Sequence, residues 1–291
     1  MIVSASYRTD IPAFYGDWFL ARLREGVVRV RNPYNAKQVS EIALTPEAVD
    51  GFVFWTRNVT PFLPVLEEVA ARGFPFVVQH TVLGYPRSLD RAVVAPERAV
   101  AALHRVAERF GPASVVWRYD PVVFSSLTPP EWHRDAFGRL AEALRGATDE
   151  AVASLLQVYR KTARNMAAAA ARHGFTWDDP PDADKAALLR DLSVLAAGQG
   201  LRLTLCGQPA LAATAGVPES ACVDAGRLST IAGRPLAALS RPHRKTCACA
   251  ASRDIGAYDT CPHGCAYCYG VRDPSLGRIY HRTHDAGAPY L

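Results

Sequence analysis

Five of the seven cysteines fall between residues 247 and 268. Three of them make the segment Cys261-Pro-His-Gly-Cys265-Ala-Tyr-Cys268, a C-x3-C-x2-C spacing with the aromatic Tyr267 just before the last thiol. Clustered thiols in a reducing compartment bind soft metal centres, either zinc or iron–sulfur clusters. Structural zinc generally takes four ligands from two separated knuckles. Three thiolates on one Pro- and Gly-bearing loop instead suit three corners of a [4Fe–4S] cluster and leave one iron open to a non-protein ligand. His263 and His281 are the side chains that would turn the set into a zinc site, against the ordinary case of a solvated loop histidine.

Seven cysteines less these three leaves four: Cys206, Cys222, Cys247 and Cys249. Four is the full complement for a second centre, iron–sulfur or zinc. The alternative is that Cys206 and Cys222 are small buried hydrophobes, as free cysteines commonly are.

The elements that must position these residues alternate in type. Short apolar runs rich in Val, Leu and aromatics predict strands at Ile2–Ser6, Gly51–Thr56, Phe76–Thr81, Ser114–Arg118, Ala153–Tyr159 and Leu201–Cys206. Such runs suit strands buried on both faces. Between them, Pro and Gly punctuation predicts helices over Pro12–Arg24, Phe62–Arg72, Pro96–Phe110, a stretch from Thr128 to about Arg145, and about 160–172 and 182–198. Repeated βα units imply an α/β fold with a mainly parallel sheet, read as a full or partial barrel of the TIM type. Residues 1–206 supply the barrel units, and 207–291 read as a cysteine-rich C-terminal extension that wraps and completes the same domain.

Polar side chains recur at the predicted C-terminal ends of strands, where parallel barrels collect their ligands. They are Arg8 and Asp10, then Arg57 and Asn58, then Gln79 and His80, then Arg118 and Asp120, and finally Tyr159. Arg8, Arg57 and Arg118 have the chemistry to grip a carboxylate bidentately. Asp10 and Asp120 suit a ribose hydroxyl, an ammonium group or the orientation of those arginines. Rim salt bridges and helix caps are the structural alternative for any one of them. Cys206 ends the last predicted strand, so the same rim receives it, with Cys247-x-Cys249 reaching it from the extension.

The chain has 291 residues, 49% hydrophobic and 21% charged, with a net charge of +5. No apolar run nears the roughly 20 residues that span a bilayer, and the first residues lack the basic flank of a signal peptide. A cytoplasmic protein without membrane association is expected. Arg29-Val-Arg31-Asn-Pro-Tyr-Asn35 mixes cations with an aromatic but carries no nucleic-acid-binding motif, so it reads as ordinary surface. Walker loops, dinucleotide fingerprints and hydrolase elbows are absent from the sequence.

The C-x3-C-x2-C loop with its aromatic resembles the signature of radical S-adenosylmethionine (SAM) enzymes. Further segments extend a resemblance over nearly the whole chain: Ser4-Ala-Ser-Tyr-Arg-Thr-Asp-Ile-Pro-Ala-Phe-Tyr15, Arg31-Asn-Pro-Tyr-Asn35, Val53-Phe-Trp-Thr-Arg-Asn58, Trp117-Arg-Tyr-Asp-Pro121 and Asp254-Ile-Gly-Ala-Tyr-Asp-Thr-Cys-Pro-His-Gly-Cys265. Together they are similar to a family of bacterial and archaeal proteins described as a domain of unknown function and grouped with the radical SAM superfamily. The resemblance implies a SAM-dependent iron–sulfur enzyme acting on a small-molecule or unknown substrate, with Cys261, Cys265 and Cys268 on the cluster. It implies an electron donor such as a flavodoxin or ferredoxin, and leaves open which C–S bond of SAM breaks. A non-catalytic iron–sulfur or zinc protein, and a DNA-repair lyase of the photoproduct-lyase kind, are the alternatives.

One departure matters. The superfamily carries its motif after the first barrel strand, whereas here it lies near the C-terminus. A circular permutation reconciles the two, with Asp254–Tyr258 as the usual first strand and Ile2–Ser6 as a later one.

Overall fold

The computed structural model describes residues 1–236 and 247–291. Seven strands form one entirely parallel sheet: β1 (Ile2–Ala5), β4 (Gly51–Thr56), β5 (Phe76–Thr81), β6 (Val115–Val122), β7 (Glu150–Leu155), β8 (Arg202–Leu205) and β9 (Ser252–Asp254). Their order is β8-β7-β6-β5-β4-β1-β9. The two remaining strands among the described residues, β2 (Val27–Asn32) and β3 (Asn35–Ala43), pair with each other as an antiparallel hairpin. The fold is therefore α/β with a seven-stranded parallel sheet. The closed form of the expected barrel is not seen, because β8 and β9 are edges without a mutual ladder.

Alternation along each strand sorts the side chains onto two faces. Ala5, Phe52, Phe54, Phe76, Val78, Trp117 and Ala153 point into the main core with the helices. Those helices are α1 (Ile11–Phe14), α2 (Gly16–Glu25), α3 (Leu63–Ala71), α4 (Pro96–Phe110), α5 (Pro130–Ala143), α6 (Arg160–His173), α7 (Asp182–Ala197) and α8 (Pro209–Ala215). Ile2, Val53, Val77, Val116 and Val152 point the other way, onto Cys222, Val223, Leu228, Cys249 and Ala250. The second face is thus covered by the C-terminal extension, which adds α9 (Ala225–Ala232), strand β9 and α10 (Pro274–Thr283).

The structure revises several boundaries. The helix expected over Pro12–Arg24 is two helices broken at Tyr15, whose hydroxyl donates to the Thr260 carbonyl at 2.6 Å. The strand expected at Ala153–Tyr159 begins instead at Glu150. That carboxylate is accommodated because Thr204 Oγ1 and Arg227 Nη2 each donate to it at 2.8 Å. Partners 54 and 77 residues away were invisible to a local pattern. Segment Arg29–Asn35 lies in the hairpin, with Tyr34 93% exposed at its tip. Among the described residues no helix is long and apolar enough to cross a membrane.

Two buried histidines give the fold a pH signature. His133 Nε2 faces the Val123 carbonyl at 3.0 Å and so carries the proton, while Nδ1 accepts from Tyr119 Oη at 2.8 Å. Burial lowers its pKa to about 4, and burial likewise lowers that of His80 to about 3. The unfolded chain takes up these protons near pH 6.5 and the folded chain does not. Stability is therefore complete above that pH and is lost as pH falls toward about 4 for His133 and about 3 for His80. Each histidine contributes a slope of about 1.4 kcal/mol per pH unit in its window. Urea unfolding at pH 7.5, 6 and 5 is expected to show this decline, and His133→Gln should make it shallower.

Candidate metal centre at the strand ends

The signature loop is held in place by β9. Only three residues long, this strand pairs with β1 through Ile2–Ser252, Val3–Arg253 and Ser4–Asp254. The Asp254 carboxylate then accepts from Ser4 Oγ at 3.0 Å, Ser6 Oγ at 2.8 Å, Tyr7 N at 3.0 Å and Gly256 N at 3.0 Å. Burial raises its pKa, with Arg8 (Nε to Oδ1, 3.5 Å) and these donors pulling against the rise. The expected strand Asp254–Tyr258 is thus displaced to Ser252–Asp254, and Asp254 is its last residue.

Beyond β9 the chain reaches the rim and docks its cysteine loop on the segment after β5. Ala266 N donates to Leu89 O at 2.9 Å, and Ala92 N to His263 O at 3.0 Å. Gly264 turns the loop at φ 70°. Helix α10 closes over it from outside. A Cβ on Gly277 would lie 2.0 Å from the Cys261 carbonyl oxygen, so only glycine permits that approach.

Cys261, Cys265 and Cys268 line one small pocket together with Asn165, His263, Val271 and Pro274. Burial raises the pKa of all three thiols. Arg57 opposes that rise at Cys265, and the backbone N–H of Gly270 opposes it at Cys268, where it donates to Sγ at 3.3 Å. Donors aimed at buried sulfurs are what a thiolate ligand set requires once metal replaces the protons. In donor chemistry, though not in the spacing of the side chains as they stand, these residues suit a thiolate-bound centre.

Arg57 organises the surroundings. Its guanidinium grips Asp90 with two hydrogen bonds, Nη1–Oδ1 2.9 Å and Nη2–Oδ2 2.6 Å, and Nη1 also donates to Cys265 Sγ at 3.2 Å. Nη1 further meets Tyr267 Oη, which itself donates to Asp90 Oδ1 at 2.6 Å. Burial alone would lower the Arg57 pKa, but Asp90, Tyr267 and Cys265 raise it well above the usual value, so it stays charged. Asp10 binds the neighbouring backbone: Oδ2 accepts from Arg57 N at 2.7 Å and pairs with His263 Nε2 at 2.8 Å, while Oδ1 caps α1 through Ala13 N at 2.9 Å. A second, roomier pocket, lined by Arg57, Thr81, Tyr85, Asp90 and Pro96 among others, adjoins this network.

The remaining four cysteines also converge, on the sheet face covered by the extension. Cys222 Sγ lies 2.9 Å from Cys206 Sγ and 3.0 Å from Arg118 Nη1. Cys249 Sγ accepts from Val223 N, and Cys247 Sγ from Cys249 N, each at 3.4 Å. Hydrogen bonds from Cys206 and Cys249 lower the Cys222 pKa and raise those of its two partners. As the side chains stand, no group of three or more His, Cys, Asp or Glu among the described residues encloses a single ion.

Of the other candidate residues, some join these two places and others serve the local structure. Arg8 lies over the rings of Tyr7 and Tyr258, each about 5.5 Å away. Arg118 reaches Gln79 Oε1 at 3.1 Å and Asp120 Oδ2 from Nε at 2.9 Å, and sits over the Trp55 ring. Asp120 also accepts from Ser154 Oγ, and Gln79 Nε2 donates to the Cys222 carbonyl at 2.9 Å. So Gln79, Arg118 and Asp120 belong to the second thiol set. His80 points to the opposite face, fully buried, accepting from Val59 N at 3.3 Å. Asn58 caps the following turn through Thr60 N at 3.2 Å, and Tyr159 lies at the surface against Tyr269. Asp90 and Tyr85 carry no signal in the sequence, and Asp254 is legible there only as part of a strand, not as an anchoring carboxylate. Asp90 and Tyr85 lie on an aperiodic stretch, where only the fold reveals a partner.

A parallel α/β sheet with a cysteine loop at the strand ends is the class these observations define. The chain belongs to the family described as Domain of unknown function (DUF1848), whose model matches residues 2–270. No curated protein and no solved structure matches it.

Two substitutions probe the loop's supports. Asp90→Ala leaves the buried Arg57 charge unpaired and should lower unfolding stability by about 3–5 kcal/mol, read from urea denaturation. Gly277→Ala forces α10 off Cys261 and should lower the melting temperature while reducing iron taken up on anaerobic reconstitution. Unchanged uptake would show that α10 does not shape the cysteine loop.

Proposed function

We propose that this protein is an iron–sulfur enzyme of the radical SAM type, built on a partial β/α barrel permuted relative to that superfamily. The observation that carries the reading is the position of the C-x3-C-x2-C loop. It follows directly after an edge strand, and the other strands succeed that strand across the sheet in chain order, β9-β1-β4-β5-β6-β7-β8. Moving β9 to the front would restore the order in which the motif follows the first strand.

In this reading Cys261, Cys265 and Cys268 hold a [4Fe–4S] cluster. When bound, the cluster supplies the open iron and the low-potential electron for reductive cleavage of SAM, and the cofactors carry the radical chemistry. The chain's own residues do the rest. Arg57 offsets negative charge at Cys265 from 3.2 Å and is itself fixed by Asp90 and Tyr267. Asp10 ties His263 to the strand end after β4, so the loop cannot swing away from the rim. The half-buried Arg8, beside Tyr7 and Tyr258, offers a cation to an anionic group entering over β1. Phe14 packs its ring 4.6 Å from His263 and Tyr267 is buried, which shields the loop on the side of His263 and Cys265. The substrate is a small or unidentified molecule, and the electron donor is of the flavodoxin or ferredoxin class.

EPR of the anaerobically reconstituted, reduced protein, with and without SAM, tests this. A cluster signal that changes on adding SAM, with 5′-deoxyadenosine or a 3-amino-3-carboxypropyl product in the mixture, is expected. Cys268→Ala should abolish both. Protein that takes up no iron, or a signal indifferent to SAM with no cleavage product, ends the proposal.

A further inference from the structure

The second thiol set, Cys206, Cys222, Cys247 and Cys249, is separate from the loop cysteines and asks for its own chemistry. We infer that it is a tetrathiolate site for one divalent ion of the zinc class, a structural site, rather than a second iron–sulfur cluster. The geometric reason is compactness. In a tetrahedral site with metal–sulfur bonds of about 2.3 Å the sulfurs stand about 3.8 Å apart. A four-iron cluster inserts four irons and four sulfides between its ligands, so its thiolates must stand much further apart. Cys222 and Cys206 are 2.9 Å apart, sulfur to sulfur, while Val223 N reaches Cys249 Sγ and Cys249 N reaches Cys247 Sγ, each at 3.4 Å. The four thiols share one cluster under the extension, and loss of their protons with a modest opening accommodates a single ion.

The surroundings match that ion's charge. Four thiolates around a divalent cation carry a net charge of −2, which is costly to bury without compensation. Arg118, 4% exposed, points Nη1 at Cys222 Sγ from 3.0 Å, and backbone N–H groups reach Cys249 and Cys247. Gln79 holds Arg118 and donates to the Cys222 carbonyl, which orients the ligand from the sheet. Cys206 comes from the end of β8, Cys222 precedes α9, and Cys249 stands three residues before β9. The ion would therefore staple the extension onto the sheet just ahead of the strand that presents the Cys261 loop.

The test uses the full chain with Cys261, Cys265 and Cys268 all changed to Ser, so the loop centre cannot contribute. Elemental analysis is expected to find about one zinc per chain, and zinc-edge X-ray absorption four sulfurs at about 2.3 Å. Cobalt substitution should give the intense charge-transfer bands of a tetrathiolate, and a further Cys222→Ser change should remove both metal and bands. About four irons per chain after anaerobic reconstitution of the triple variant would overturn the proposal. So would a Cys206–Cys222 disulfide, or a metal-free chain with all four thiols titratable. Should the triple variant not fold, X-ray absorption on zinc bound to the wild-type chain decides the same question. This outcome is independent of the SAM experiment, because each centre is read with a different metal.

Discussion

A strand of three residues carries the burden of this architecture. Three backbone positions alone would be a weak attachment for β9 at a sheet edge, and the Asp254 carboxylate reinforces it. Four hydrogen-bond donors and the Arg8 guanidinium converge on that one buried side chain, from β1, from the turn after it and from Gly256. A buried carboxylate without those partners would cost several kcal/mol. With them it locks residues more than 245 positions apart into one register. The segment that carries all three loop cysteines leaves from that junction, and Leu89, Ala92 and Asp10 then hold it at the rim.

The two cysteine sets pack in different hydrophobic clusters and are supported by the same device, a buried arginine fixed to an aspartate that also donates to sulfur. Arg57 is held by Asp90 and reaches Cys265; Arg118 is held by Asp120 and reaches Cys222. Each guanidinium keeps its charge despite burial because its carboxylate partner and the sulfurs raise its pKa. Sulfur ligands in a low-dielectric interior need this kind of positive counterpart, and the rigid fork of arginine can serve a carboxylate and a thiolate together. The glycines at 256 and 277 complete the arrangement by allowing backbone to approach where any Cβ would collide.

Much of the frame was legible from local pattern. Gly51–Thr56, Phe76–Thr81 and Pro96–Phe110 fall where apolar runs and Pro or Gly punctuation put them, because their burial and breakers are contiguous in sequence. Glu150 disguised the start of β7, since a buried carboxylate looks like a strand breaker until Thr204 and Arg227 are seen beside it. The break at Tyr15 depends on Thr260, and β9 was too short to leave a periodic trace. Asp10, Arg57 and Arg118 stand out by chemical type, but their partners His263, Asp90, Cys265 and Cys222 lie 33 to 253 residues away.

The sequence by itself determined the α/β alternation, the spacing of the three loop thiols and the arithmetic that leaves four more, since these are properties of residue type and local order. Which thiols meet which arginine, the displacement of β9, the open edges of the sheet and the separation of the cysteines into a rim pocket and a compact set beneath the extension were decided by the tertiary structure. The physical reason is that a buried charge or thiol is tolerable only beside a specific distant partner, and only the folded chain brings the two together.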